Sequence, residues 1–206
     1  MSEQAAKSIS GLMQSAQFVL SAARKGQFPA DELPEVAFVG RSNAGKSSAL
    51  NRLTGQRNLA RTSKTPGRTQ LINFFELDGG SRLVDLPGYG YAKVPPAVKE
   101  KWARLIESYL QARPNLVGII HIMDIRHPMK PFDEQMLEFA AAIDCPVHIL
   151  LTKADKLKRG QQGKQRQLVR NAVGDAAGVQ LFSAESGQGV DEARAVIAGW
   201  LGWVEG

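Results

Sequence analysis

Two apolar patterns alternate along this chain: short runs that are apolar at nearly every position, and longer stretches in which apolar residues recur every three or four positions. The run Glu35-Val36-Ala37-Phe38-Val39 predicts a strand, a glycine-bounded loop follows, and residues 47–53 are helix formers closed by Gly55. Residues 71–77 and 82–85 predict two strands joined through Asp78-Gly79-Gly80, an antiparallel hairpin. Val98, Trp102, Leu105, Ile106, Tyr109 and Leu110 keep helical spacing until Pro114. Residues 116–123 and 147–151 are almost wholly apolar, as strands covered on both faces of a parallel sheet are, and residues 132–142 predict the helix between them. Residues 179–182 predict a last strand, and Val190, Ala193, Ile197, Trp200, Leu201 and Val204 one face of a closing helix. At the other end, Ala16-Gln17-Phe18-Val19-Leu20 predicts a short edge strand, and two prolines mark residues 28–34 as a loop.

Strands alternating with helices imply an α/β fold: a mostly parallel sheet, one antiparallel strand and helices on both faces. Ligands of such sheets bind beyond the carboxyl ends of the strands, so the loops after Val39, Val84, Met123, Leu151 and Phe182 are expected to converge on one site. A length of 206 residues fits one domain, assigned here to 16–206, and the polar, aperiodic start predicts disorder over 1–15. No apolar stretch approaches the roughly 18 residues of a membrane span, and the first residues lack a basic start followed by an apolar block. One cysteine, Cys145, cannot form an internal disulfide and is expected to be a buried, inert thiol; a reducing cytoplasm fits. Lys+Arg 26 against Asp+Glu 20 leaves a net charge of +6, which permits a polyanionic partner without requiring one.

The chemistry begins after the first predicted strand. Gly40-Arg41-Ser42-Asn43-Ala44-Gly45-Lys46-Ser47 satisfies G-x-x-x-x-G-K-[ST] between a strand and a helix. There backbone N–H groups and the helix dipole hold a phosphate, Lys46 reaches the β- and γ-phosphates, and Ser47 offers its hydroxyl to Mg²⁺. Asp85-Leu86-Pro87-Gly88 fits D-x-x-G, with the aspartate on Mg²⁺ and the Gly88 N–H on the γ-phosphate. In Thr152-Lys153-Ala154-Asp155, the carboxylate can accept from guanine N1–H and its amine while the lysine stem covers the base. Phe182-Ser183-Ala184, at the end of the last strand, supplies a backbone N–H for guanine O6. Adenine offers no matching donors, which argues against an ATPase or small-molecule kinase. The order of the motifs, each after its own strand, reads as a GTPase domain.

These residues, with Lys64-Thr65-Pro66-Gly67-Arg68-Thr69-Gln70, the extension Tyr89-Gly90-Tyr91-Ala92 and Asp124-Ile125-Arg126-His127, resemble the EngB (YihA/YsxC-type) bacterial GTPases of the TrmE–Era–EngA class, over about residues 16–204. The resemblance implies a Ras-like P-loop fold, GTP and GDP as substrate and product, and Mg²⁺. It also implies assembly of the large ribosomal subunit, with ribosomal RNA and proteins as partners of a monomer, and a link to cell division and septation. Residues 57–69 become switch I and 86–96 switch II. Gly67, Arg68 and their main chain then lie near the phosphates, and Thr69 is the second hydroxyl on Mg²⁺ with Thr65 its competitor.

A Ras-like catalyst orients its water with a glutamine after D-x-x-G, whereas this chain has Tyr89. By resemblance to the TrmE-like class, Asn43 is placed to hold K⁺, so Lys46, Asn43 and Gly88 are the catalytic candidates and hydrolysis is expected to be slow without K⁺ or the ribosome. An alternative is a division-linked interaction protein that binds GTP without being driven by its hydrolysis. His127 is expected to order its own loop, and His121 and His148 to sit in the core or at a sheet edge. Lys153, Lys156, Lys158, Arg159, Lys164, Arg166 and Arg170 form one basic group, and Arg57, Arg61, Lys64 and Arg68 another. Contact of either with RNA would weaken as salt rises.

Overall fold

A computed structural model of the chain describes residues 8–60, 71–89 and 96–203, with 96–99, 101 and 102 described by backbone alone. Seven strands form one sheet in the order β1-β3-β4-β2-β5-β6-β7. They are β1 (Gln17–Ala22), β2 (Glu35–Gly40), β3 (Ile72–Leu77), β4 (Ser81–Asp85), β5 (Leu116–Asp124), β6 (Val147–Thr152) and β7 (Ala177–Leu181). From β4 to β7 every pairing is parallel, whereas β3 runs against both β4 and β1. β3 is therefore the one strand of opposite direction, as the hairpin pattern predicts.

The helices are α1 (Ile9–Gln14), α2 (Lys46–Leu53), α3 (Pro96–Ala112), α4 (Pro131–Ala142), α5 (Arg159–Val173) and α6 (Val190–Trp200). The side-chain alternation of the central strands sorts them into two layers. Ala37, Val39, Ile119, Met123, Ile149 and Leu151 pack with Leu105, Tyr109, Ala140 and Val169 of α3, α4 and α5. The opposite faces, Val36, Phe38, Ile120, Ile122 and Leu150, pack with Leu12, Met13, Leu50, Leu53 and Ile197 of α1, α2 and α6.

Three expectations need correction. Residues 8–15 are ordered: the Ser8 hydroxyl accepts from Gly11 N–H at 3.1 Å, and Leu12 and Met13 are buried in the core. Two apolar side chains suffice to dock this turn, too few to show a period. Residues 159–173 form a helix that the pattern does not predict, because they are polar and contain Gly160 and Gly163. The closing helix stops at Trp200 rather than running to Val204, since Gly202 turns left-handed at φ 70°. Cys145 is buried as expected; burial, with Asp144 beside it, pushes its thiol up to about 11.

At the amino ends of the strands, far from the predicted site, lies a buried ionic network. Glu35 is fully buried and accepts from Arg113 Nη2 at 2.5 Å, from Arg113 Nε at 3.1 Å and from the Tyr109 hydroxyl at 2.8 Å. Arg113 also donates to Pro29 O at 2.7 Å, which ties the loop before β2 to the end of α3. Removing one partner of a buried pair leaves an uncompensated charge. Arg113→Ala is expected to lower stability by about 3–5 kcal/mol, measured by urea unfolding; a change below about 1 kcal/mol would show that the network contributes little.

Candidate nucleotide site

The phosphate loop is shaped by where its neighbours leave room. A Cβ on Gly40 would sit 2.7 Å from Ile122 O and 2.9 Å from Ile122 Cβ, so only glycine lets β2 lie this close to β5. Gly45, at φ 100°, turns the chain into α2, whose first amides, at Lys46 and Ser47, have no intrahelical acceptor and suit an anion. The outer wall of the loop is braced from β6 and the residue after it. Thr152 Oγ1 donates to Ala44 O and, at 3.1 Å, to Met123 O; Lys153 Nζ donates to Asn43 O at 2.6 Å and to Asp124 Oδ2 at 2.9 Å. Asn43 itself is left-handed at φ 63°.

At the carboxyl end of β4, Asp85 pairs with Lys46, and both side chains are about one-tenth exposed, at 11% and 10%. The parallel register of β2 and β4 sets Phe38 against Asp85, which carries the carboxylate to the mouth of the loop. With Ser47 this gives hard oxygen donors of the kind Mg²⁺ takes. Among the described residues no group of three or more His, Cys, Asp or Glu could hold a metal alone. Mg²⁺ uses few protein ligands and completes its shell with phosphate oxygens and water. Leu86 is fully buried, with its N–H on Phe38 O at 3.1 Å, so the path of Pro87 and Gly88 past the phosphate loop is fixed.

Tyr89 continues this path. Its carbonyl accepts from Ser42 N–H at 2.8 Å, and its hydroxyl turns inward, 2.7 Å from His121 Nε2 and donating to Asp133 Oδ1 at 3.0 Å. Burial, then the Asp133 charge, pushes the phenol well above its ordinary value, so the group stays protonated. Engaged in this way, the hydroxyl does not face the phosphate loop. His121 is fully buried, as expected, but no local signal in the sequence pairs it with Tyr89 and Asp133.

The loop after β6 holds Asp155 in place from both sides. Asp155 Oδ1 accepts from Ser183 Oγ at 2.6 Å and Oδ2 pairs with Lys156 Nζ at 2.9 Å. The Ser183 hydroxyl, then Lys156, hold the carboxyl below the usual carboxylate range. Ala154 and Phe182 are fully buried, and Ala154 N–H bonds to Phe182 O at 3.1 Å, which locks the two base loops together. Phe182 and Ala154 are therefore buried supports of the two loops rather than exposed contacts, and Ala184 follows Ser183 at the rim. Asp124, which in the sequence stands only within the run 124–127, is a brace: burial pushes its carboxyl up, and Arg126 and Lys153 more than offset that and hold it well below the usual range. The structure thus brings Gly40 to Ser47, Asp85 to Gly88, Thr152 to Asp155 and Phe182 to Ala184 to one end of the sheet. Thr65, Gly67, Arg68 and Thr69 lie outside the described residues, as does most of the expected switch I.

Residues 35–153 match the profile of the family described as 50S ribosome-binding GTPase. Over 195 residues the chain is 55% identical to a probable GTP-binding protein EngB of Stenotrophomonas maltophilia (strain K279a), a match covering 93% of this chain and 98% of that protein. Among solved structures it is similar to a probable GTP-binding protein engB, with a TM-score of 0.67 and 23% identity over 81% of this chain and 98% of the other. It is also similar to a variant of Era from Aquifex aeolicus bound to GDP·AlF4−, with a TM-score of 0.64 and 21% identity over 84% and 57%. At such identities the solved structures bear on the fold alone.

Asp155→Asn removes one of two charge-assisted acceptors and weakens the Ser183 contact. GDP affinity is expected to fall by about 100-fold or more, measured by calorimetry; unchanged affinity would take Asp155 out of the base pocket.

Proposed function

The chain belongs to the EngB family of GTP-binding proteins and is a GTPase; from that premise we propose that its nucleotide state governs attachment to the large ribosomal subunit or an assembly intermediate of it. In this reading it acts in the cytoplasm as a monomeric switch that assists subunit assembly, and normal cell division and septation depend on it. The observation that carries the reading is the match, over residues 35–153, to a family described by 50S binding. Charge supports it: α5 exposes Arg159, Lys164, Arg166 and Arg170 with no acidic residue, continuing the basic run from Lys156 and Lys158. Such a face suits RNA phosphates, and without an aromatic stacking motif it would read shape and charge rather than sequence.

In the site, Lys46 and the amides at the start of α2 hold the phosphates, Gly88 N–H meets the γ-phosphate, and Asp155 with the backbone of Ala184 reads guanine. Ser47, Asp85 and Thr69 would hold Mg²⁺, which would supply charge neutralisation for the phosphates. Intrinsic hydrolysis is slow because the residue after Gly88 is Tyr89, whose hydroxyl bonds to His121 and Asp133 rather than orienting water. Asn43 would hold K⁺, which, like the ribosomal partner, would supply the missing acceleration. Among the described residues no helix is long and apolar enough to cross a membrane.

Co-sedimentation with separated ribosomal subunits, in Mg²⁺ buffer with GDP, a non-hydrolysable GTP analogue or no nucleotide, tests the switch. Binding to the large subunit with the analogue alone is expected, weakening as salt rises. Neutralising Arg166 or Arg170 should each reduce the logarithmic salt slope by about 1. Binding in no nucleotide state would overturn the proposal and favour a division-linked partner. GTP turnover should be faster in KCl than in NaCl, and equal rates remove the potassium step.

A further inference from the structure

α5 keeps a polar side chain where an amphipathic helix would bury an apolar one. Of its side chains only Gln162 and Val169 are buried, and a buried amide must find partners for two N–H groups and a carbonyl. Gln162 Nε2 donates to Ala154 O at 2.9 Å and to Leu157 O at 3.0 Å, and its Oε1 accepts from Gln188 Nε2 at 3.2 Å. Both amide protons therefore go to the turn that carries Asp155, and the carbonyl goes to the loop after β7. That loop closes a ring: Gln188 O accepts from Ser183 N–H at 3.0 Å, and the Ser183 hydroxyl donates to Asp155 Oδ1 at 2.6 Å. Ser183 thus bonds the carboxylate of Asp155, and Gln162 bonds the carbonyls that flank it in the chain. The turn has little to hold it otherwise, because Ala154–Lys156 is a single 3₁₀ turn and Lys153 before it is left-handed at φ 60°. Gly160 and Gly163, on either side of Gln162, bring no side chain to the contact.

We propose that Gln162 is a positioning residue for base discrimination: it holds the turn 154–157 and the loop 183–188 in one arrangement, so that both oxygens of Asp155 meet the edge of guanine. The inference rests on reading Asp155 as the acceptor for guanine N1–H and its 2-amino group. Two parallel hydrogen bonds from a base edge require an aimed carboxylate, whereas a single bond tolerates a tilt. Without Gln162 the Ser183 contact remains, but the turn beneath Asp155 is free to rotate, and the second bond is lost first. The phosphate loop is braced separately, by Thr152 and Lys153, so the effect is confined to the base.

The test titrates GDP and inosine diphosphate, each with Mg²⁺, by calorimetry into the full chain and into Gln162→Met, which keeps the length of the buried side chain without its amide. Inosine diphosphate lacks the 2-amino group and can give Asp155 one bond only. The unaltered chain is expected to prefer GDP by about tenfold or more, and Gln162→Met to bring that preference to about threefold or less through weaker GDP binding. An unchanged preference overturns the proposal, whether both affinities hold or both fall in parallel, since a general loosening weakens the two alike. Should Gln162→Met fail to fold, Gln188→Ala, at an exposed position, removes the bond to the Gln162 carbonyl and must lower the same ratio. Asp155→Asn separates the two levels. If the unaltered chain shows no preference, or Asp155→Asn keeps it, the base reading fails; if Asp155→Asn abolishes it while Gln162→Met does not, the clamp alone fails.

Discussion

Lys46 and Asp85 meet where the phosphate loop and the end of β4 converge, and the rest of the site is arranged around their contact. Each is about one-tenth exposed, at 10% and 11%, so neither charge can lose its partner without a large penalty. In the proposed function, a nucleotide that separates them would have to give each a replacement: phosphate oxygens for the ammonium and a divalent cation for the carboxylate. On that reading nucleotide and cation binding are coupled at this pair. The coupling reaches the chain beyond Asp85, because the buried Leu86 and the backbone pairing of Tyr89 with Ser42 leave Gly88 little freedom of its own.

The sheet separates stability from chemistry. At the amino ends, Glu35, Arg113 and Tyr109 form a closed, buried network, and Arg82 bridges Asp31 and Glu76 nearby. At the carboxyl ends polar side chains instead hold loops in place: Lys153 braces Asn43, Ser183 aims Asp155, and Asn51 fixes residues 57–60. Four turns and loops thus become one rigid surface, as electrostatic preorganisation requires. The buried hydroxyl of Tyr89 belongs to the same scheme, tying the chain after Gly88 to β5 through His121 and to α4 through Asp133.

What the sequence made legible was local. The phosphate loop, Asp85-Leu86-Pro87-Gly88 and Thr152-Lys153-Ala154-Asp155 are contiguous motifs, and the apolar runs placed each after its strand. The strand of opposite direction could be read from the two runs 71–77 and 82–85 joined by Asp78-Gly79-Gly80. What escaped was either too polar or too distant. α5 buries little besides Gln162 and Val169, so it carries no apolar stripe, and α1 rests on Leu12 and Met13. The bonds of Tyr89 to Asp133 and of Lys153 to Asn43 join residues 44 and 110 positions apart, and no spacing rule connects them. Asn51 is read from the sequence as an ordinary helix residue, because the segment it holds follows a turn that only the fold defines.

The exchange of partners at Lys46 and Asp85 is the center of this account, and calorimetric titration of the GTP analogue with Mg²⁺ and again with EDTA tests it most directly. If the cation must take Asp85 before phosphates can take Lys46, affinity falls about tenfold or more in EDTA. Equal affinity in both buffers would mean that the pair does not govern binding, and would contradict the account.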